Sequence, residues 1–325
     1  MKIVASEFIL PIRDGWQCHA SHILPLPNGE IFSVFFYGSR EGSDDVRIYG
    51  SLRSSDGQWS EAVPLSEDDG MPNWNPVLFR REDGVVFLFY KSGPDCSVWH
   101  TRCRISEDNC RTWGESFELV PGDRSGGRGP VRNKPIYLTD GSILAPGSTE
   151  LGEWKCFFDR SIDGGKTWQR SEDIRLEPAL LEKYDNLAGR GIIQPTLWQT
   201  DSGIHAMMRS SEGRIFRTDS PDGINWCRPY PTSMPNNNSG IDLVKLPDGR
   251  LVLCCNPISD NWGKRTPISL YISEDNGNTF TLLTHLFTDS IGGYAYPALQ
   301  YADGCLHISY TWDRKSIAYM CLTDI

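Results

Sequence analysis

Short apolar runs, each broken by a glycine turn and then resumed, recur along the whole chain. They are ILPLPNGEIFSVFF around Asn28-Gly29, VLFRREDGVVFLFY around Asp83-Gly84 and IYLTDGSILA around Asp140-Gly141. The series continues with TLWQTDSGIHAMM around Asp201 to Gly203, LVKLPDGRLVLCC around Asp248-Gly249 and ALQYADGCLHISY around Asp303-Gly304. Asn-Gly or Asp-Gly between β-branched and aromatic runs is a strong hairpin signal, because such turns need positive φ. The pattern predicts six hairpins, and no long segment carries a helical period.

A second repeat runs between the first. Its copies are SSDGQW (Ser54 to Trp59), SEDNCRTW (Ser106 to Trp113), SIDGGKTW (Ser161 to Trp168), SPDGINW (Ser220 to Trp226) and SEDNGNTF (Ser273 to Phe280). Ser, Asp and Gly in succession make a tight turn, since the short polar side chains bond nearby amides, and the terminal aromatic anchors it. Six hairpins against five such turns imply modules of four strands, the turn joining the outer two, with the chain ending before a sixth copy. Residues 1–12, KIVASEFILPI after Met1, can supply the missing outer strand. The expected fold is all-β: one domain over 1–325, a six-bladed β-propeller of four-stranded antiparallel blades, closed by the N-terminal strand so that sheet edges are covered.

Composition agrees. The 325 residues are 39% hydrophobic, and no linker or charge run divides them. The Gly- and Arg-rich stretch from Pro121 to Gly129 falls inside the repeat phase and reads as a blade connection. A net charge of −10 makes nucleic acid and anionic membranes poor partners. No stretch has the length of a transmembrane helix and the start lacks signal-peptide features, so a cytoplasmic location is expected. The ten cysteines then read as reduced thiols. The spacings of Cys96, Cys103 and Cys110, or of Cys254-Cys255, match no common zinc pattern, and neither a metal nor a cofactor is expected. A homo-oligomer stays open.

In a propeller, chemistry belongs where the innermost strands begin. Just before each hairpin stand Ser21 and His22, Asn73 and Asn75, Arg132 and Asn133, Gln194, Asn237 and Asn238 with Asp242, and Tyr296. These are polar residues ahead of strongly apolar strands, although Asn and Asp are also ordinary turn residues.

Five Asp boxes in phase with six β-modules resemble the sialidase (neuraminidase) superfamily over nearly the whole chain. There the boxes lie on the outer rim, away from the active site. The resemblance implies a Tyr nucleophile at Tyr296, in Tyr296-Pro297-Ala298-Leu299, and substrate-binding arginines at Arg209 and Arg265, each upstream of an Asp box. Three positions depart from the family. His22-Ile23-Leu24 stands where an Arg-Ile-Pro is expected, and Gln194-Pro195-Thr196 where a Glu activates the Tyr. Thr311 stands where a Glu braces the first Arg. The family's acid/base Asp lies on the loop corresponding to Gly38 to Gly50, which carries Glu41, Asp44 and Asp45; Asp45 is preferred, with Asp44 and Glu41 as substitutes. His22 is a candidate base or donor and Glu150 a replacement base. Asn75, Asn238, Arg40, Glu41 and Arg132 complete the binding set with Arg209, Arg265 and Gln194.

The resulting expectation is an exo-acting glycoside hydrolase for a small acidic or deoxy-sugar glycoside rather than ordinary sialic acid, with carbohydrate as its partner. A lyase acting on uronic acids is the second reading, since a Tyr or His can take the C5 proton while Arg or Asn neutralises the carboxylate. A non-catalytic carbohydrate-binding propeller is the third.

Overall fold

The computed structural model describes residues 1–289 and 292–325. The N-terminal strand β1 spans Lys2–Phe8. The first blade holds β2 (Gln17–Pro25), β3 (Ile31–Gly38), β4 (Arg47–Arg53) and β5 (Val63–Pro64). The second holds β6 (Asn73–Arg80), β7 (Val86–Ser92), β8 (His100–Ser106) and β9 (Phe117–Glu118). The third holds β10 (Ile136–Tyr137), β11 (Ile143–Thr149), β12 (Lys155–Ser161) and β13 (Gln169–Arg170). A four-residue helix α1 (Pro178–Leu181) leads to the fourth, β14 (Ile192–Thr200), β15 (Gly203–Ser210), β16 (Arg214–Ser220) and β17 (Tyr230–Pro235). The fifth holds β18 (Asp242–Lys245), β19 (Leu251–Cys255), β20 (Ile268–Ser273) and β21 (Thr281–Phe287). The last contains β22 (Tyr294–Ala302), β23 (Cys305–Trp312) and β24 (Ser316–Thr323). Among the described residues no helix is long and apolar enough to cross a membrane.

Each blade is a four-stranded antiparallel sheet in chain order, except that the sixth runs β22-β23-β24-β1. Strand β1 pairs antiparallel with β24, from Lys2 opposite Thr323 to Phe8 opposite Ala318, and so closes the ring. One turn recurs in four inner hairpins. Leu26 N–H donates to Glu30 O and Gly29 N–H to Leu26 O, a pattern repeated at Arg81 to Val85, Leu138 to Ser142 and Leu246 to Arg250. The glycine of each such turn has φ between 78° and 93°, which is why Gly occupies it.

The five Ser/Asp turns join the third strand of a blade to the fourth. In the third blade Asp163 Oδ1 accepts from Ser161 Oγ at 2.8 Å, Lys166 N at 3.0 Å and Thr167 N at 2.9 Å, while Thr167 Oγ1 donates to Oδ2 at 2.6 Å. Asp108 and Asp275 repeat the arrangement, and these donors hold all three carboxyls below the usual range. Cys110 occupies the glycine position of its copy at φ 65°.

Both faces of each blade are buried, so the middle strands lose the alternation of a half-exposed sheet; every residue of β7 and β11 is buried. Among the described residues the core divides into six apolar clusters, each between neighbouring blades, such as Phe36, Ile48, Leu78 and Leu88 between the first two. The 121–129 segment joins β9 to β10 and is pinned by Arg128 and Gly129 N–H on the buried carboxylate of Asp159.

The axis is polar and crosslinked. Lys134 Nζ lies 2.9 and 2.8 Å from the two oxygens of fully buried Asp242, which also accepts from Thr196 Oγ1, Leu243 N and Leu299 N. Asn133 Nδ2 donates to the carbonyls of Gln194 and Pro195, and Arg132 Nη2 to those of Tyr296 and Pro297. The third blade's inner strand is thus only two residues long, but the residues ahead of it tie the fourth and sixth blades together.

Candidate active site

Four inner strands carry a register shift at matching heights: between His19 and His22, Trp74 and Val77, Ile193 and Thr196, and Ala295 and Ala298. Each holds a non-glycine residue at positive φ, namely Ala20 at 53°, Asn75 at 43°, Gln194 at 55° and Tyr296 at 55°; Asn238 before β18 has φ 61°. In three of the four shifts the next residue is a proline, Pro76, Pro195 or Pro297, which has no N–H to give the ladder. A bulge of this kind re-aims a side chain, and strained backbone of this cost, about 1–3 kcal/mol per residue, gathers at functional sites.

Tyr296 is the centre of what these bulges present. Arg209 Nη1 donates to its hydroxyl at 2.8 Å and also lies 3.2 Å from Gln194 Oε1. The guanidinium carbons of Arg132, Arg209 and Arg265 are 5.3, 5.5 and 5.8 Å from its ring centroid. The His19 ring lies 4.2 Å away, centroid to centroid. Burial lowers the pKa of Arg132 to about 10 and also pushes Arg265 down. His19 is held well below the usual imidazole range, first by burial and then by Arg314, Arg265, Arg132 and Arg209, so it is neutral at physiological pH.

Five predicted residues therefore converge: Tyr296, Arg209, Arg265, Gln194 and Arg132. Arg132 reaches Tyr296 from behind, fully buried, through the backbone carbonyl. His22 is not part of this group. Its Nδ1 accepts from Leu78 N at 3.4 Å, and its charged neighbours are Lys134 and Arg132 on the axis. The place beside Tyr296 assigned to His22 belongs to His19, because the bulge at Ala20-Ser21 separates the two along β2. His19 Nδ1 is 2.8 Å from Thr311 Oγ1, so a neutral His–Thr pair stands where an Arg–Glu pair was expected.

The carboxylates also sort differently from the preference for Asp45. Asp45 is exposed and accepts from Ser39 N and Oγ at 3.0 and 2.8 Å, closing the neck of its loop. Asp44 and Arg40 are exposed, and their carbonyls accept from Arg47 Nη1 and Ser43 N. Glu41 is the member that reaches the arginines, through an ion pair with Arg314. Glu150 is raised above the usual carboxylate range by burial, against the pull of Arg209; it bonds Cys96 and feels the charge of Glu41. Asn75 is buried, and Asn238 Nδ2 donates to Asn261 Oδ1 at 3.0 Å.

Sequence reasoning missed Arg314, Trp154 and Trp262 as well as His19. Arg314 sits in the β23–β24 turn, where Asp313 and Arg314 have φ of 51° and 56° and Lys315 N donates to Trp312 O. That turn carries no glycine, hence no turn signal. Trp154 and Trp262 meet edge to face at 5.8 Å, both within cation–π reach of Arg209 at 5.5 and 6.0 Å. Trp262 is 55% exposed.

Residues 29–308 match the family described as BNR repeat-like domain. The chain belongs to the BNR repeat-like family. This BNR repeat-like protein is similar in structure to a protein of unknown function from Dyadobacter fermentans, at 16% identity and TM-score 0.78, covering 98% of each chain. It is also similar to the NanB sialidase of Streptococcus pneumoniae, at 12% identity and TM-score 0.70, over 97% of this chain and 71% of that one. The intramolecular trans-sialidase of Ruminococcus gnavus matches at 14% identity and TM-score 0.68, over 94% of each. No curated protein sequence matches significantly. At these identities the shared property is the six-bladed propeller fold.

Proposed function

We propose that this protein is an exo-acting glycoside hydrolase for a small acidic or deoxy-sugar glycoside rather than ordinary sialic acid. The Arg209–Tyr296 hydrogen bond of 2.8 Å is the observation that carries this reading. It is charge-assisted and strengthens as the phenolic oxygen becomes the attacking anion. In the reaction, the Tyr296 hydroxyl passes its proton to solvent and Oη bonds to the anomeric carbon as the bond to the leaving oxygen breaks, a carboxylic acid giving that oxygen its proton; the phenolate is reprotonated from solvent when the sugar leaves. Glu150 is the proposed donor, because burial keeps it protonated to higher pH than an ordinary Glu. The same carboxylate then takes a proton from the water that releases the sugar. Arg209, Arg265 and Arg314 offer an acidic substituent positive charge, and the neutral His19 withdraws it from the side where an arginine was expected.

The test is a panel of aryl glycosides covering sialosides, ketodeoxy sugars and uronic acids. On whichever is cleaved, Tyr296→Phe should lose on the order of 10³-fold and Glu150→Gln on the order of 10²-fold in kcat. Full activity in Tyr296→Phe overturns the reading. Full activity in Glu150→Gln with loss in Asp45→Asn or Asp44→Asn moves the acid to the exposed loop. One observation favours a uronate lyase as the second reading: a neutral imidazole packed against the Tyr296 ring, tilted 45° to it, can serve as the C5 base. Ultraviolet absorbance from an unsaturated product separates the two.

A further inference from the structure

Toward the end of β23 remote from Thr311, three metal-ligating side chains come together. One ligand atom from each of Cys305, His307 and Cys321 lies within 4.8 Å of the others. Cys305 and His307 are two apart on β23 and share a face. Cys321 on β24 pairs directly with His307. Tyr319, two residues earlier, places its hydroxyl 2.9 Å from His307 Nδ1 and bonds the Cys321 thiol, which in turn bonds Cys305. Cys321 and His307 are buried while Cys305 is half-exposed, so the group has one solvent-facing side.

We propose that Cys305, His307 and Cys321 form a binding site for a borderline-soft divalent cation, Zn²⁺ being the best match to two sulfurs and one imidazole. Tetrahedral zinc has Zn–S near 2.3 Å and Zn–N near 2.0–2.1 Å, which sets ligand atoms about 3.5–3.8 Å apart. The observed cluster needs to contract by roughly 1 Å at its widest to reach that geometry. The Tyr319 hydroxyl fixes the imidazole from outside, as an outer-shell partner does in metal sites, and a water completes the coordination. Charge is balanced, because two thiolates neutralise the cation. The nearby Arg53, 5.5 Å from the Tyr319 ring, is itself paired with Glu7 and so adds little opposing charge. Binding converts two thiols to thiolates and releases two protons, so affinity rises with pH. The bound ion crosslinks β23 to β24, the strand on which β1 closes the ring.

The experiment titrates metal-free, fully reduced protein with Co²⁺, then with Zn²⁺ in competition with a chromophoric chelator. Expected are one equivalent, the absorption of a tetrahedral cobalt thiolate, two protons released in weak buffer, and a higher Tm with Zn²⁺. Cys305→Ser and His307→Gln should each weaken binding by at least about 100-fold, with circular dichroism showing that they remain folded. Wild-type affinity no better than that of a Cys305→Ser/Cys321→Ser double variant overturns the proposal. So does a purified chain lighter by two hydrogens with Cys305 joined to Cys321, since a disulfide leaves no thiolate ligands.

Discussion

Replacing Asp242 by Asn tests whether the polar axis holds the ring and its site together. The carboxylate is fully buried and accepts from four groups: Lys134 Nζ, Thr196 Oγ1, Leu243 N and Leu299 N, at 2.7 to 2.9 Å. Asparagine keeps one acceptor oxygen and turns the other into a donor facing an ammonium and an amide. Lys134, largely buried, loses its counter-charge. Breaking a buried pair from one side costs about 3–5 kcal/mol, a large part of the roughly 5–15 kcal/mol that holds a typical domain. The expected fall in Tm is roughly 4–7 °C for a chain of 325 residues. Thermal and urea unfolding measure it, and a Lys134→Met/Asp242→Asn double variant should recover part of the loss, because it removes the unpaired charge while the amide oxygen still accepts from Thr196 Oγ1 and Leu243 N. Leu299 lies on β22 with Tyr296, so Asp242→Asn should also lower turnover while leaving the binding arginines in place. A loss under about 1 kcal/mol would refute the reasoning, showing that water rather than Asp242 satisfies Lys134.

Gly240→Ala probes Tyr296 without touching its hydroxyl: the added Cβ would meet ring atoms Cδ2 and Cγ at 3.1 and 3.2 Å, shifting the ring by a few tenths of an ångström. A roughly tenfold fall in kcat/KM with Tm nearly unchanged is expected, and unchanged kinetics count against a catalytic Tyr296. Glu150 is protonated more readily folded than unfolded, so stability falls as pH rises above the ordinary value of 4.5. Glu150→Gln should therefore exceed wild type in Tm at neutral pH, with the gap closing in acid. Burial pushes Lys91 from 10.5 down to about 7, so the unfolded chain binds more protons between those values and stability rises with pH there. Lys91→Met should flatten that rise in a Tm series, with Thr101 still donating to the Arg128 carbonyl.

The blade count was legible because turns are local chemistry. The glycine of each inner hairpin and the Asp of each Asp box act within a few residues, so their spacing alone counts sheets and marks the sixth blade as the one whose outer strand, β1, is not reached through such a box. Tyr296, Gln194, Asn75 and Asn238 were legible for a related reason: a polar residue just before an apolar strand marks where each blade meets the axis. What the sequence hid was register. A one-residue bulge at Ala20-Ser21 decides which histidine of CHASH stands beside Tyr296, and no periodicity distinguishes His19 from His22 without the pairing of β2 to β3. Arg314 was hidden because its turn uses Asp and Arg at positive φ instead of Gly. Cys321 was hidden because its partners lie across a strand pair, where linear spacing carries no metal pattern.

Residues around the candidate site share a backbone cost. Ala20, Asn75, Gln194, Asn238, Tyr296 and Arg314 all sit at positive φ without being glycine, at about 1–3 kcal/mol each. Such strain persists only where the surroundings leave no alternative, and the surroundings here are regular: six apolar clusters between blades and the Arg132, Asn133 and Asp242 crosslinks on the axis. The repeated part of the chain therefore stabilises the unrepeated part. Relaxing one bulge, for instance by Gln194→Gly, should stabilise the backbone locally while loosening the side chain that shares Arg209 with Tyr296. A gain in Tm with a loss in turnover is the expected signature, and a loss in both would place Gln194 with the framework instead of the site.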